Sequence, residues 1–280
     1  MLFRSSIGSI ALGIALATMT AGVQAHDEAK YPDFSGQWIR IGGGQYDPSK
    51  PAGLKQQAPL TPEYQAILEA SLNDQAAGGQ GNDPTINCIP SGMPRGMIVT
   101  QPMELVVTPN ATYVMLELFG MLRRIYTDGR DWPASKEPQF MGYSIGQWVD
   151  DDGDGKYDAL LVESRYIKGP HAYDNSGMPF HSDGELVVKE RIYLDKAKPD
   201  LLHNEITSID HALTRPWTVT RNSRRERDLK KISWSEYICA EDNHHVQIGK
   251  ENYMVTPDGL LMPVKKGQPP PDLRYFQPRN

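Results

Sequence analysis

From residue 97 onward the chain is a succession of short runs rich in Val, Ile, Tyr and Thr, each ending on turn-forming residues. The runs read MIVT, MELVVT, TYVMLEL, MLRRIYT, YSIGQWV, ALLVESRYI, ELVVKERIYL, LLHNEITSI, PWTVTR and ISWSEYICA. Between them stand PN, TDGR, DDGDG and KPD, the residues that turns require. Strand-sized runs at this spacing predict an antiparallel meander, and a long meander hides its edges by curling or closing. The predicted fold class is therefore mainly β: an antiparallel meander closed into a barrel over residues 96–257. No βαβ rhythm and no glycine-rich nucleotide loop interrupts it, so nothing points to an organic cofactor.

The remainder is less regular. Residues 26–95 read as an irregular N-terminal segment with one short strand near 37–41. Within it, LTPE places Thr61 as an N-cap and Pro62 at the first helical position. Tyr64, Ile67, Leu68 and Leu72 follow at helical spacing, which predicts a short helix over 62–72. Residues 258–280 read as an extended tail.

The first 25 residues carry a basic start at Arg4, an apolar stretch diluted by glycine and threonine, and Val23-Gln24-Ala25 before His26. That pattern predicts a cleaved signal peptide over 1–25, with a periplasmic or secreted product and no transmembrane anchor after its removal. Losing Arg4 takes the formal charge from −6 to −7. Such acidity offers no footprint for nucleic acid, and the basic cluster at 221–231 is interrupted by Glu226 and Asp228. Cys88 and Cys239 are the two cysteines, and neither sits in a CxxC. In an oxidising compartment such a pair most simply forms one disulfide.

DFSGQW, LTPEYQ, CIPSGMPR, RRIYTDGR, SIGQW, PFHSD with its following ER, RPWTVTR and EYICAEDN occur in this order between residues 33 and 243. The ordered set resembles a large family of exported bacterial proteins. The resemblance implies a β-rich, lipocalin-like barrel and export. It implies no reaction. One departure is the loop after Trp148, DDDGDGKYD, where the family has a short acidic-glycine turn.

Chemistry concentrates in 169–191, GPHAYDNSGMPFHSDGELVVKER, where His171, Asp174, His181 and Asp183 precede a strand. Imidazole beside carboxylate suits proton transfer near neutral pH. His181 is the candidate base and Asp183 its orienting group. Arg124 and Tyr126 are candidates for stabilising developing negative charge, although alternation leaves either Arg123 or Arg124 free to face inward. Glu205, on one face with His203, is a second acid/base candidate. Trp148 and Trp217 read as core or cavity-wall aromatics.

Asp150, Asp152, Asp154 and Asp158 have the spacing and following glycine of a calcium loop, which predicts a structural Ca²⁺. Position twelve is Leu161 and the flanks read as strands, so the loop is not an EF-hand. The histidines show no HxH or HExxH spacing. His26 would become a terminal copper chelator, but no partner histidine is specified. These readings together predict a barrel enclosing a small apolar or aromatic molecule, as a cofactor-independent lyase or isomerase. A non-enzymatic carrier or sensor needs the same cavity. A calcium-stabilised structural or interaction protein needs none.

Overall fold

The computed structural model describes residues 27–42, 58–228, 230–239, 244–272 and 274. The expected signal peptide and His26 lie outside them. Nine strands close one barrel in chain order. They are β1 (Gln37–Ile41), β2 (Met103–Val107), β3 (Ala111–Leu116), β4 (Met121–Tyr126), β5 (Tyr143–Val149), β6 (Ala159–Arg165), β7 (Val187–Leu194), β8 (Leu201–Ile209) and β9 (Trp217–Glu226). β1 pairs with β2 on one side and β9 on the other, which leaves the sheet without an edge.

The barrel expectation holds, with one correction to its topology. β4 and β5 run parallel, through Ile125↔Ser144 and Tyr126↔Ile145, and all other neighbours are antiparallel. Parallel neighbours cannot be joined by a tight turn. Asp128-Gly129 therefore opens a return connection over 127–142 and does not close a hairpin. Three other boundaries differ from expectation. β1 is part of the barrel, although it lies in the segment read as irregular. The helix α1 spans Pro62–Ala76 instead of stopping at residue 72. The barrel ends at Glu226, and β10 (His245–Ile248), β11 (Glu251–Val255) and β12 (Leu261–Pro263) form a separate three-stranded sheet.

Alternation sets which side chains fill the barrel. Val114 and Leu116, Ile125, Leu160 and Val162, Val188 and Ile192, and Leu202 and Ile206 are buried, with half-buried or exposed residues between them. Arg123, Glu190, Asn204, Ser144 and Ser164 share that interior. Arg123 donates to Ser144 Oγ at 3.3 Å and Ser164 Oγ at 2.9 Å, and pairs with Glu190 at short range. Glu190 Oε1 accepts from Asn204 Nδ2 at 2.9 Å. Charges so deep need their partners, because an unpaired one would lose its hydration without return.

Strand direction sorts the connections into two ends. β1, β3, β6 and β8 finish at one end, together with α1, the 166–186 connection and the 210–216 turn. The other end carries 149–158, 195–200 and the approach to β1. Among the described residues, no helix is long and apolar enough to cross a membrane.

Candidate functional site

The α1 end is held together by backbone and side-chain bonds between its connections. Thr61 caps α1 by accepting from Tyr64 N, and Thr61 N donates to Ala212 O at 2.8 Å. From the helix, Ser71 Oγ donates to Ser176 O at 2.8 Å and Gln75 Nε2 to Asn175 O at 2.7 Å. The polar side of α1 thus straps the 166–186 connection over the barrel mouth.

A cavity of about 460 Å³ opens there. Arg40, Arg95, Thr85 and Asp174 form its polar wall; Ile98, Leu118, Phe119 and Tyr237 form its apolar one. Phe119 adopts a left-handed backbone (φ 59°), which a side chain tolerates only at a cost, and its ring meets Tyr237 edge-on at 5.1 Å. Arg95 is occupied by a two-pronged pair with Asp83, at 2.6 and 3.0 Å.

Arg40 is different. β1 pairs it with Ser223, on the inward face of β9 that also bears buried Arg221 and Arg225. Its guanidinium donates to the Ile98 carbonyl at 2.7 Å and has no carboxylate within ion-pairing distance among the described residues. Burial, and then the positive charge of Arg221, push its pKa below the usual arginine value, while Tyr173 works against them. An anion entering the cavity would relieve that repulsion. Asp174, 7% exposed, is pushed up by burial despite bonds from the Ser176 amide and hydroxyl. A second cavity, about 510 Å³, lies at the opposite end against Tyr31, Phe34 and Val107. Its charged groups are Glu28 and Asp33, and Asp33 already pairs with Arg225 at 2.7 Å.

The same connection and the 210–216 turn also carry a group of histidines and aspartates. Asp183 Oδ2 lies 2.9 Å from His181 Nδ1 and 2.5 Å from His211 Nδ1. The His181–Asp183 pair expected from sequence is therefore present, with His211 as an unforeseen third member. Asp183 is held below the usual carboxylate range by these contacts and the Glu185 amide, against the opposing effect of burial. His211 is raised by Asp183. Asp210 accepts from the backbone amides of His181 and Ala212, both at 2.8 Å, and burial raises its pKa. His171 is buried and pushed below the ordinary imidazole range by desolvation.

The other candidates do not join this group. Arg124 is exposed on the outer barrel face, 5.1 Å from the Tyr113 ring centre and 5.8 Å from that of Tyr126. Tyr126 lies between Tyr143, at 5.0 Å, and the guanidinium of Arg130, at 3.7 Å. The arginine that faces inward is Arg123. Glu205 also faces outward, accepting from Tyr193 Oη at 3.0 Å, and His203 stacks on Tyr193 with its Nδ1 2.8 Å from Asn222. Trp217 is buried against Tyr173 at 4.6 Å, as a core aromatic should be.

The acidic loop sits at the far end of the barrel. Asp150, Asp152 and Asp158 lie together, and Asp154 instead accepts the Lys156 amide at 2.8 Å. Asp150 accepts from Gly153 and Gly155 amides at 2.7 and 2.9 Å. Lys196 Nζ stands between Asp152 and Asp158, at 2.7 and 2.8 Å, so one of the chain's own cations already pairs with two of the cluster's carboxylates. Cys88 and Cys239 are disulfide-bonded.

Arg40 carried no sequence signal beyond its place in a short polar-flanked strand. Its role depends on the closure of β1 against β9, a contact far apart in the chain. No family model matches the sequence, and no curated protein matches it at a significant level.

Proposed function

We propose that the protein binds a small molecule bearing an aromatic or apolar body and an anionic group, at the mouth of the barrel. Arg40 carries this reading: a half-buried guanidinium facing a cavity, beside a second guanidinium and, among the described residues, without a carboxylate partner. A carboxylate accepts bidentate bonds from such a fork, a phenolate accepts through its one oxygen, and the Phe119–Tyr237 wall offers stacking surface for the body. The barrel interior holds the buried Arg123–Glu190 pair among apolar side chains, and the ligand is placed at the mouth, where Arg40 lines the cavity. Binding of this kind suits a carrier or sensor. The lyase or isomerase reading needs His181, Asp183, Arg124 and Tyr126 on one substrate, whereas the binding reading needs none of them. We take the site of action to be periplasmic or extracellular, which the N-terminal segment and the Cys88–Cys239 bond support.

A thermal-shift panel of aromatic carboxylates and their neutral amides tests the proposal. Carboxylates are expected to raise Tm and the amides to leave it unchanged, with the rise lost in Arg40→Gln and reduced in Tyr237→Ala. Equal response to acid and amide would remove Arg40 from the account.

A further inference from the structure

The connection between β6 and β7 carries a second concentration of polar groups that ligand binding at Arg40 does not use. Asp183 Oδ2, His181 Nδ1 and His211 Nδ1 converge within a sphere that could hold one metal ion. His181 Nδ1 accepts the Asp183 backbone N–H at 3.1 Å, and the same nitrogen faces Asp183 Oδ2 at 2.9 Å. A single cation among the three would bond all of these donors at once.

The surroundings hold these donors from outside. The Asp210 carboxylate ties the His181 backbone to the Ala212 backbone, and so joins the two loops that present the imidazoles. Asp183 Oδ1 accepts the Glu185 amide at 2.9 Å, which leaves Oδ2 directed at the rings. The two rings stand at 83° with centres 5.7 Å apart, and Tyr64 flanks His181 at 5.8 Å. Outer contacts of this sort fix the orientation of ligand side chains.

We propose that His181, Asp183 and His211 form a binding site for a divalent transition-metal ion of the zinc class. Two imidazoles and one carboxylate suit that class and leave a fourth position for water or a further ligand. Tetrahedral zinc, with bonds of about 2.0–2.2 Å, separates its ligands by about 3.3 Å. The two carboxylate–imidazole separations, 2.9 and 2.5 Å, need widen by less than about an ångström to reach that geometry. His211, with its side chain 69% exposed, is free to make that adjustment. The acidic loop at the opposite end makes a useful contrast, because Lys196 already supplies its cation.

The test is titration of the protein with Zn²⁺ by calorimetry, and with Co²⁺ by visible absorption, in chelator-free buffer. One equivalent is expected to bind, and the Co²⁺ band should be displaced by Zn²⁺. His211→Ala and His181→Ala should each weaken binding by about 30-fold or more, and Asp183→Asn by about 10-fold, as loss of a ligand or its orienting partner implies. Circular dichroism of His211→Ala checks that an exposed substitution leaves the barrel folded. The double variant His244→Ala/His245→Ala should bind as the parent does. Absence of saturable binding, or binding unchanged in His211→Ala, overturns the site, as does loss confined to the His244/His245 variant.

Discussion

Arg123 and Arg124 are neighbours in the chain and have opposite roles in the fold. Arg123 is buried against Glu190, while Arg124 lies outside among Tyr113 and Tyr126. Alternation identifies their strand, but where both faces offer a charge it leaves the inward phase open. The Glu190 partner that settles it lies 67 residues away. Arg123→Met is expected to lose about 3–5 kcal/mol of stability by denaturant unfolding, because it strands a buried carboxylate. Replacing both partners with Met should recover most of that loss. A single variant as stable as the parent would show that the pair does not behave as a buried ion pair. His171 contributes a pH dependence of stability. Its folded pKa is depressed by burial, so between that value and about 6.5 the unfolded chain binds the extra proton. Stability present above about pH 6.5 is thus lost as pH falls towards the folded pKa. His171→Gln should flatten the fall in Tm between about pH 7 and pH 5. An unaltered slope would assign the acid limb to other groups.

At the scale of elements, the strands were legible because each buries one face, and burial of one face writes a period of two into the sequence. The Thr61-Pro62 start of α1 was equally plain, since capping is local chemistry. The parallel joint between β4 and β5 was not legible: Asp128-Gly129 is a common hairpin signal, and here it opens a return connection instead. Two of the three members of the His-Asp group were visible in 181–183. Its third member, His211, arrives through the β8–β9 turn, so only tertiary structure joins it. The loop 150–158 had the pattern of a calcium site, but pattern says nothing of Lys196, which the β7–β8 connection brings between Asp152 and Asp158. Calcium must displace that ammonium. Lys196→Met is therefore expected to show a larger calcium-dependent rise in Tm than the parent. Equal responses would mean that the lysine does not compete for the site.

For the whole molecule, the disulfide joins the stability of the barrel to the cavity at its mouth. Cys88 follows the turn bearing Thr85, and Cys239 follows Tyr237, so the bond draws two walls of the cavity together. The cysteines are 151 residues apart, and closing a loop of that length stabilises by about 5 kcal/mol on the chain-entropy account. Cys239→Ser should lower Tm and also weaken ligand binding, whereas a purely global effect would leave affinity intact at temperatures where the variant is folded. The central claim is that Arg40 receives an anion at the barrel mouth. Calorimetric titration with an aromatic carboxylate such as 4-hydroxybenzoate, set against its amide, tests it most directly. The account predicts one site in the parent, at least about tenfold weaker binding for the amide, as expected on losing a charge-assisted pair, and a similar loss in Arg40→Gln. Carboxylate binding that persists unchanged in Arg40→Gln would contradict it.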